Sequence, residues 1–489
     1  MADRPNVLLL ISDTMGLNAV SGMSGTGHGP AETPAIDELA AEGVALENTY
    51  TAAPVCGPSR AGLFTGRYPH DAGGWTNGLP LYAGVRELGE YFRDAGYRTG
   101  YVGKYHIDGD YWGDGVAPEH YENEYWYDGR SYRDEMGEDF FDWWWNGGML
   151  ENDNAEHDLA AVRDRGITRE DTWAGNVTDR AVEFLESAIG DDRPYFLVVS
   201  YDEPHEPSLC PPEFAGRYVD DLPELPENYE TLAELEDKPS HQQSEARRYA
   251  EGERFIDSLS SPERGVLPRP AYFGCAEFVD DEIGRVVDAL DTTETTVAFT
   301  SDHGHYLGAH GLDLKGFALY DEVVNVPMLV RGPSLATGAV SDALLSHVDV
   351  LPTFLDLAGA DVPGELHGES FLPAARDPSR DHREVALVEH NGYGQGRTDG
   401  DGFYPVRCLV SAEGHKLVVN LLESDELYDL GADPGELDNR VDDPGYAGVR
   451  DRLHDRLLAE MSDTDDAFHG QAWADRPWRD GVAEPTHPG

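Results

Sequence analysis

VLLLISD at Val7 to Asp13, YFLVVSYDEPH at Tyr195 to His205 and TTVAFTSDH at Thr295 to His303 share one design: a short, unbroken apolar run that stops on acidic or imidazole side chains. A run without polar alternation reads as a strand buried on both faces, the pattern of a parallel sheet covered by helices. Working outward, candidate strands are Val7 to Ile11, Thr99 to Val102, Tyr195 to Ser200, Thr295 to Thr300 and Val326 to Val330. Helical periodicity covers Ala35 to Glu42, Val85 to Ala95, Asp171 to Ala188, Phe278 to Leu290 and Val350 to Leu357. Thr33 before Pro34 reads as an N-cap followed by proline in the first turn. The alternation of strands and helices predicts an α/β fold, a mostly parallel central sheet with helices on both faces.

After about Pro373 the pattern changes. Strand-like runs at Val385 to Glu389, Val406 to Ser411 and Lys416 to Leu421 predict a smaller C-terminal antiparallel sheet, with a helix over Tyr446 to Met461 packed on it. The polar tail from Ser462 onward reads as loosely ordered. The expected organisation is a catalytic α/β domain over 1–375 and a smaller α+β subdomain over 376–489. Within the first, about 109–153 is neither clean helix nor clean strand and holds Trp112, Trp126, Trp143, Trp144 and Trp145, five of the nine tryptophans. Such rings either stack a sugar or enclose a quaternary ammonium, or simply pack a loop-rich insertion.

In open parallel sheets ligands bind at the carboxyl ends of strands. Three such ends carry Asp13, Asp202 to His205, and Asp302 with His303. Any one of these aspartates alone is an ordinary helix cap; together, carboxylates plus imidazole suit Ca²⁺, Mg²⁺ or Mn²⁺ better than zinc. CGPSRAGLFTGR, Cys56 to Arg67, places a cysteine at a predicted helix start, with Pro58 in the first turn. A thiol there is either a core residue or a nucleophile activated by the helix end.

The segment Cys56 to Gly66 resembles the sulfatase signature C-x-P-S-R followed by x-x-L-x-T-G, and the resemblance extends over nearly the whole chain. PNVLLLISD is similar to that family's opening strand and metal aspartate, Gly103 to His106 to its Lys-x-His element, Glu203 to Pro207 to its Pro-His element. Thr300 to Gly316 is similar to its second metal segment, ending in a substrate-binding lysine. VPMLVRGP, SHVDVLPTFLDLAG and ELYDLGADPGELDNR look like later landmarks.

The resemblance implies a type I sulfatase of the alkaline phosphatase superfamily, cleaving a small-molecule or carbohydrate sulfate ester. Cys56 is then converted to formylglycine (3-oxoalanine) by a formylglycine-generating enzyme, and one divalent cation, Ca²⁺ first and Mg²⁺ or Mn²⁺ next, sits on Asp13, Cys56, Asp302 and His303. The same resemblance makes Arg60 the partner that positions Cys56, His106 the base that releases sulfate, His205 and Lys315 aids to the leaving alcohol, and Lys104 a charge-offsetting cation. Two positions depart from the family. Thr14 stands where many members carry a second aspartate, and His305 where an acidic residue is common. The Asp, Asp, His set also resembles choline sulfatases and phosphonate monoester hydrolases, so phosphonate monoester or phosphodiester hydrolysis stays open beside sulfate ester hydrolysis. A sulfatase-like scaffold without catalysis is disfavoured by the complete motif set.

Composition sets the surroundings. The 489 residues carry 94 acidic and 36 basic side chains, a net charge of −58, which excludes nucleic acid and anionic membrane as natural partners. Mean hydropathy is −0.51, with no apolar run long enough to span a bilayer. The apolar stretch before Asp13 is too short for a signal peptide, so the sequence reads as cytoplasmic. Cys56, Cys210, Cys275 and Cys408 are widely spaced, without a disulfide or zinc pattern. Only four basic residues are lysines: Lys104, Lys238, Lys315 and Lys416. An acidic, lysine-poor chain suits molar salt, where the Debye length shrinks to roughly 3 Å and carboxylate self-repulsion is screened; the alternative is an acidic mesophile surface. Halophily predicts a melting temperature that rises with KCl, and a fall over the same titration would contradict it.

Overall fold

A computed structural model of the chain describes residues 4–25, 27–148, 155–220, 223–232, 234–250, 270–290, 294–392 and 404–479. Eight strands form the central sheet: β1 (Asn6–Ser12), β2 (Val44–Tyr50), β3 (Arg98–Gly103), β4 (Trp126–Tyr127), β5 (Tyr195–Tyr201), β6 (Thr295–Ser301), β7 (Met328–Arg331) and β8 (Ala339–Ser346). Their order is β4-β3-β5-β1-β6-β7-β2-β8. β1 lies inside the sheet, as its unbroken apolar run demands. Val7, Leu9 and Ile11 enter one core layer and Leu8 and Leu10 the other, all fully buried. Helices Pro34–Glu42, Trp173–Ala188 and Pro270–Asp288 cover one face; Cys56–Thr65, Leu88–Asp94 and Val350–Leu357 cover the other.

The sheet is mostly parallel, with β7 running against both β6 and β2. β2 and β8 were not among the expected strands, because VALENTY and AVSDALLS mix polar and apolar residues. They pair with each other at one side of the sheet, where a register shift between Leu46 and Asn48 accommodates the polar stretch.

Helix limits differ from the periodicity where long-range contacts set them. Thr33 makes no side-chain cap, and its hydroxyl donates to Ser21 O. The amino end of Pro34–Glu42 is capped from another helix instead: the Asp280 carboxylate accepts from Ala35 N (3.0 Å) and Ile36 N (2.8 Å). The expected Val85 to Ala95 helix is Leu88–Asp94, because the Glu87 side chain accepts from Gly89 N and starts it there. Pro270–Asp288 begins well before Phe278.

The aromatic stretch is not irregular throughout. It contains helices Gly129–Met136 and Glu138–Phe141, while 149–153 lies outside the described residues. Its tryptophans largely pack: Trp126 against Tyr101 and Tyr105, Trp112 against Phe141 and Trp173, with Trp144 buried.

A second sheet, β9 (Val385–His390), β10 (Val406–Ser411), β11 (His415–Asn420) and β12 (Glu426–Asp429), is wholly antiparallel in the order β12-β11-β10-β9. Helix Ala447–Asp463 packs on it. The tail corrects the expectation of loose order as far as Arg479. Buried Trp473 joins this core, Asp466 pairs with buried Arg407 at 2.7 Å, and Arg476 pairs with Asp425 at 2.7 Å. These anchors reach partners far away in sequence, so local polarity hides them. Residues 480–489 lie outside the description. Trp473→Ala is expected to cost about 3 to 5 kcal/mol, measured as a lower urea midpoint at unchanged slope.

Candidate active site

Strand register assembles the site before any side chain is considered. Ser12 of β1 lies opposite Tyr201 of β5 and Ser301 of β6, so Asp13, Asp202 and Asp302 leave the sheet at one level. Gly103 of β3 lies opposite Ser200, which brings Lys104 to the same level. Gly103 adopts φ 111°, and a Cβ there would collide with the Ser200 carbonyl; only glycine lets Lys104 N donate to that oxygen at 2.9 Å. The helix Cys56–Thr65 meets these ends with its amino terminus, after extended Val55, and closes on left-handed Gly66.

Cys56 Sγ lies 3.3 Å from His303 Nε2, 3.3 Å from Lys315 Nζ, 3.6 Å from Asp13 Oδ1 and 4.0 Å from Lys104 Nζ. Lys104 Nζ bridges Asp13 and Asp202 at 2.8 Å each. Arg60 sits behind the carboxylates: Nε donates to Asp302 Oδ2 (2.8 Å), Nη2 to Asp13 Oδ2 (3.3 Å), and Nη1 to Lys104 O and Ser200 Oγ. His106 Nε2 faces Asn77 O at 3.1 Å, and its Nδ1 has no hydrogen-bond partner among the described residues. The structure thus brings together Asp13, Cys56, Arg60, Lys104, His106, Asp302, His303 and Lys315, all buried. His205 is half-buried on the next layer, 5.6 Å ring to ring from Tyr111.

Burial pushes both Asp13 and Cys56 up. For Asp13 the charges of Lys104, Lys315 and neighbouring histidines outweigh it, and the group sits well below the usual carboxylate range. Asp13 also raises Cys56, but Lys104, Lys315 and His303 bring the thiol well below its ordinary value. Asp302 goes the other way, up to about 6, from burial and the Asp13 charge. Burial lowers His106 and favours its neutral form.

One ligand atom each from Asp13, Cys56, Asp302 and His303 lie within 4.8 Å of one another. His303 Nδ1 faces the Gly304 carbonyl at 2.9 Å, which holds a proton on Nδ1 and turns Nε2 toward the carboxylates, where a bound cation would take the place of the Nε2 proton. Two carboxylates and an imidazole so oriented fit a hard divalent cation. Thr14 adds no third carboxylate. Its hydroxyl donates to Asp13 Oδ1 (2.6 Å) and accepts from Lys315 Nζ (3.3 Å), while its backbone is held at φ 70°, a strained value for a β-branched residue.

Residues outside the motifs complete the walls. Tyr111 donates to Asp202 Oδ1 at 2.6 Å and lays its ring 3.8 Å from Lys104 Nζ. Asn77 Oδ1 accepts from Gly57 N. His305 sits among acids instead: Leu307 N donates to its Nδ1, so Nε2 carries the proton and lies 3.3 Å from Glu206 and 3.5 Å from Asp313. Glu206 in turn lies 3.1 Å from His205 Nδ1. The strand-end argument that picked Asp13 also applies to Asp202; Tyr111 and Asn77 lie on connecting segments without a local signal.

The sulfatase family profile matches residues 5–360, and the profile of the C-terminal region of N-sulphoglucosamine sulphohydrolase matches 308–463. The chain belongs to the sulfatase family. Among relatives of this sulfatase, the uncharacterized sulfatase YidJ of Escherichia coli K12 is 41% identical, the match covering 97% of this chain and 91% of YidJ. The N-acetylglucosamine-6-O-sulfatase of Bacteroides thetaiotaomicron is 24% identical over 94% of this chain and 86% of its own. The crystal structure of the phosphonate monoester hydrolase of Agrobacterium radiobacter superposes with a TM-score of 0.73 at 22% identity, covering 94% and 96% of the two chains, and shows the shared fold. No helix among the described residues is long and apolar enough to cross a membrane.

Two lysines within 4 Å of one sulfur predict a measurable effect in protein whose Cys56 is still a thiol. Thiolate absorbance should titrate well below the ordinary cysteine value, and Lys315→Met should move that midpoint upward.

Proposed function

We propose that this sulfatase hydrolyses an organic sulfate ester, with a carbohydrate sulfate as first candidate, in the pocket around Cys56. The observation that carries the reading is the placement of Cys56 at a buried helix amino terminus, within 4 Å of two lysines, beside an oxygen-rich ligand set. Cys56 as formylglycine would supply a hydrated-aldehyde nucleophile, and a divalent cation on Asp13, Asp302 and His303, Ca²⁺ before Mg²⁺ or Mn²⁺, would supply positive charge opposite the sulfuryl oxygens.

The remaining work falls to the chain's own groups. Lys104 and Lys315 offset charge on the sulfuryl oxygens, and Lys315 steadies the leaving oxygen as well. Arg60, with its named donors on strand-end oxygens, acts by holding Asp13 and Asp302 in place. His106, with its Nε2 taken up by the Asn77 carbonyl, presents Nδ1 as a proton acceptor beside Cys56. His205, raised by Glu206 and Asp13 against burial, holds a proton for the leaving alcohol. We assign this chemistry to residues 1–375 and treat 376–489 as a supporting subdomain. All four lysines are inward or paired: Lys104 and Lys315 in the site, Lys416 between Asp321 and Glu436, Lys238 against Glu230. The outer cations are therefore arginine, which supports a halophilic source.

The Asp13, Asp302 and His303 set, on a fold shared with a phosphonate monoester hydrolase, keeps one competing substrate class open. The test has two parts. Peptide mass spectrometry over Thr51 to Arg67 of active protein should find aldehyde in place of thiol, and Cys56→Ala should lose turnover of an aryl sulfate by on the order of 10³-fold or more. A clear preference for an aryl phosphonate over the sulfate would reverse the assignment of substrate.

A further inference from the structure

One residue of the second sheet holds both flanks of the Cys56 helix. Ahead of that helix, the Ala52 carbonyl accepts Glu389 N at 3.0 Å. Beyond it, the Glu389 carboxylate accepts His70 N at 2.7 Å and faces His70 Nδ1 at 2.6 Å. His70 Nε2 lies 2.9 Å from the Thr464 carbonyl, in the segment following helix Ala447–Asp463. Carboxylate and carbonyl are both pure acceptors, so the ring satisfies both contacts only as the doubly protonated imidazolium.

The groups around His70 close the charge balance. Arg407 from β10 lies 2.7 Å from Asp466 and 3.7 Å from Glu389. Asp466 also faces His70, and the three acidic and imidazole groups offer ligand atoms within 4.8 Å of one another. A cation there would sit beside the Arg407 guanidinium and displace the contacts of His70, so this is an ion network and not a metal site. Two cations and two carboxylates leave it neutral. The other facing rings are Tyr68 and His367, each with its centroid 6.1 Å from that of His70. His367 Nδ1 accepts from Tyr68 N, and burial lowers His367 to about 4, so it adds no charge at neutral pH.

We propose that Glu389 and His70 are positioning residues for the sulfatase reaction, through which the C-terminal sheet fixes where the helix bearing Cys56 and Arg60 meets the strand ends. The inference rests on the reading of Cys56 as the reacting position. Its force comes from tolerance: contacts of 2.8 Å at Arg60 and 3.3 Å at Cys56 do not survive a shift of the helix by an ångström, and such shifts cost turnover more than binding. Burial pulls His70 down, but Glu389 and Asp466 outweigh it and push it up to about 9. A folded value above the unfolded one means that the stabilisation from the charged ring is complete below about pH 6.5 and is lost as pH rises through about 9, where the contact itself breaks.

The experiment compares full-length Glu389→Gln and His70→Gln with Asp425→Asn, which breaks a C-terminal ion pair with Arg476 remote from Cys56. With 4-nitrophenyl sulfate as probe, Glu389→Gln should lower kcat by about tenfold to a hundredfold at little-changed KM. It should also move the alkaline limb of the kcat profile to lower pH, since the lost anion lets His70 deprotonate earlier. Asp425→Asn, at a matched fall in Tm, should keep kcat within about twofold. If Glu389→Gln does not fold, His70→Gln carries the kcat comparison. Turnover and alkaline limb both unmoved, or an equal kcat loss in Asp425→Asn, would overturn the proposal. Cys56→Ala separates the two readings: full activity there sinks the assignment of the reacting position and this inference with it, whereas an inactive Cys56→Ala beside an unaffected Glu389→Gln sinks the positioning role alone.

Discussion

Everything at this site depends on three strands ending in register. Because β1, β5 and β6 stop level, Asp13, Asp202 and Asp302 emerge side by side, buried away from bulk solvent that would screen their charges. Left alone, such a cluster would refuse to ionise. Like charges about 4 Å apart repel by roughly 4 kcal/mol at an effective dielectric of 20. Arg60 and Lys104, each in contact with two of these carboxylates, turn the repulsion into a lattice of opposite charges. Removing one member of such a buried set costs on the order of 3 to 5 kcal/mol, because its partner stays behind uncompensated. The arginine of the Cys56 segment is therefore bound to the strand ends as much for folding as for chemistry.

That dependence explains the rest of the segment. Ser59 donates to the Asp302 carbonyl and meets Thr51 and His347 on its other side, tying the helix to the end of β6 and to the 3-10 turn His347–Asp349 before Val350. Gly62 and Gly66 let the helix sit close: a Cβ on Gly62 would meet the Ala52 side chain, and Gly66 closes the helix in the left-handed region. The specificity of CGPSRAGLFTG reflects one helix pressed end-on against charged strand termini, with its far side held by the second sheet.

How much of this was legible follows from the range of each interaction. β1, β5 and β6 could be read because a strand buried on both faces writes its state into consecutive residues, and Asp13, Asp302 and His303 could be placed because strand ends are local. Cys56, Lys104, His106 and Lys315 drew their proposed roles from resemblance, since no local rule says that their three segments meet. β2 and β8 escaped because their polar residues lie where the sheet is irregular, and the Asp280 cap because it comes from a helix far along the chain. Trp473 and Asp466 escaped for the same reason. His305 shows the limit in the other direction: its residue type departs from the family, and its meaning appears only when Glu206 and Asp313 are seen beside it.

The overall charge poses a problem that the site resolves locally. A chain of −58 repels any anionic ester at long range, and at about 0.1 M salt that field reaches roughly 10 Å. Inside, Asp13, Asp202 and Asp302 are matched by Arg60, Lys104 and Lys315, so this inner set alone is formally neutral and has no surplus to attract an anion. A divalent cation on the oxygen-rich ligand set would then decide the sign of the pocket. High salt would shorten the repulsive field to about the width of one contact while leaving buried pairs little screened. On the proposed halophilic reading, acidity outside and balanced charge within are one design: concentrated salt would screen the repulsive surface field while the buried pairs at the site persist.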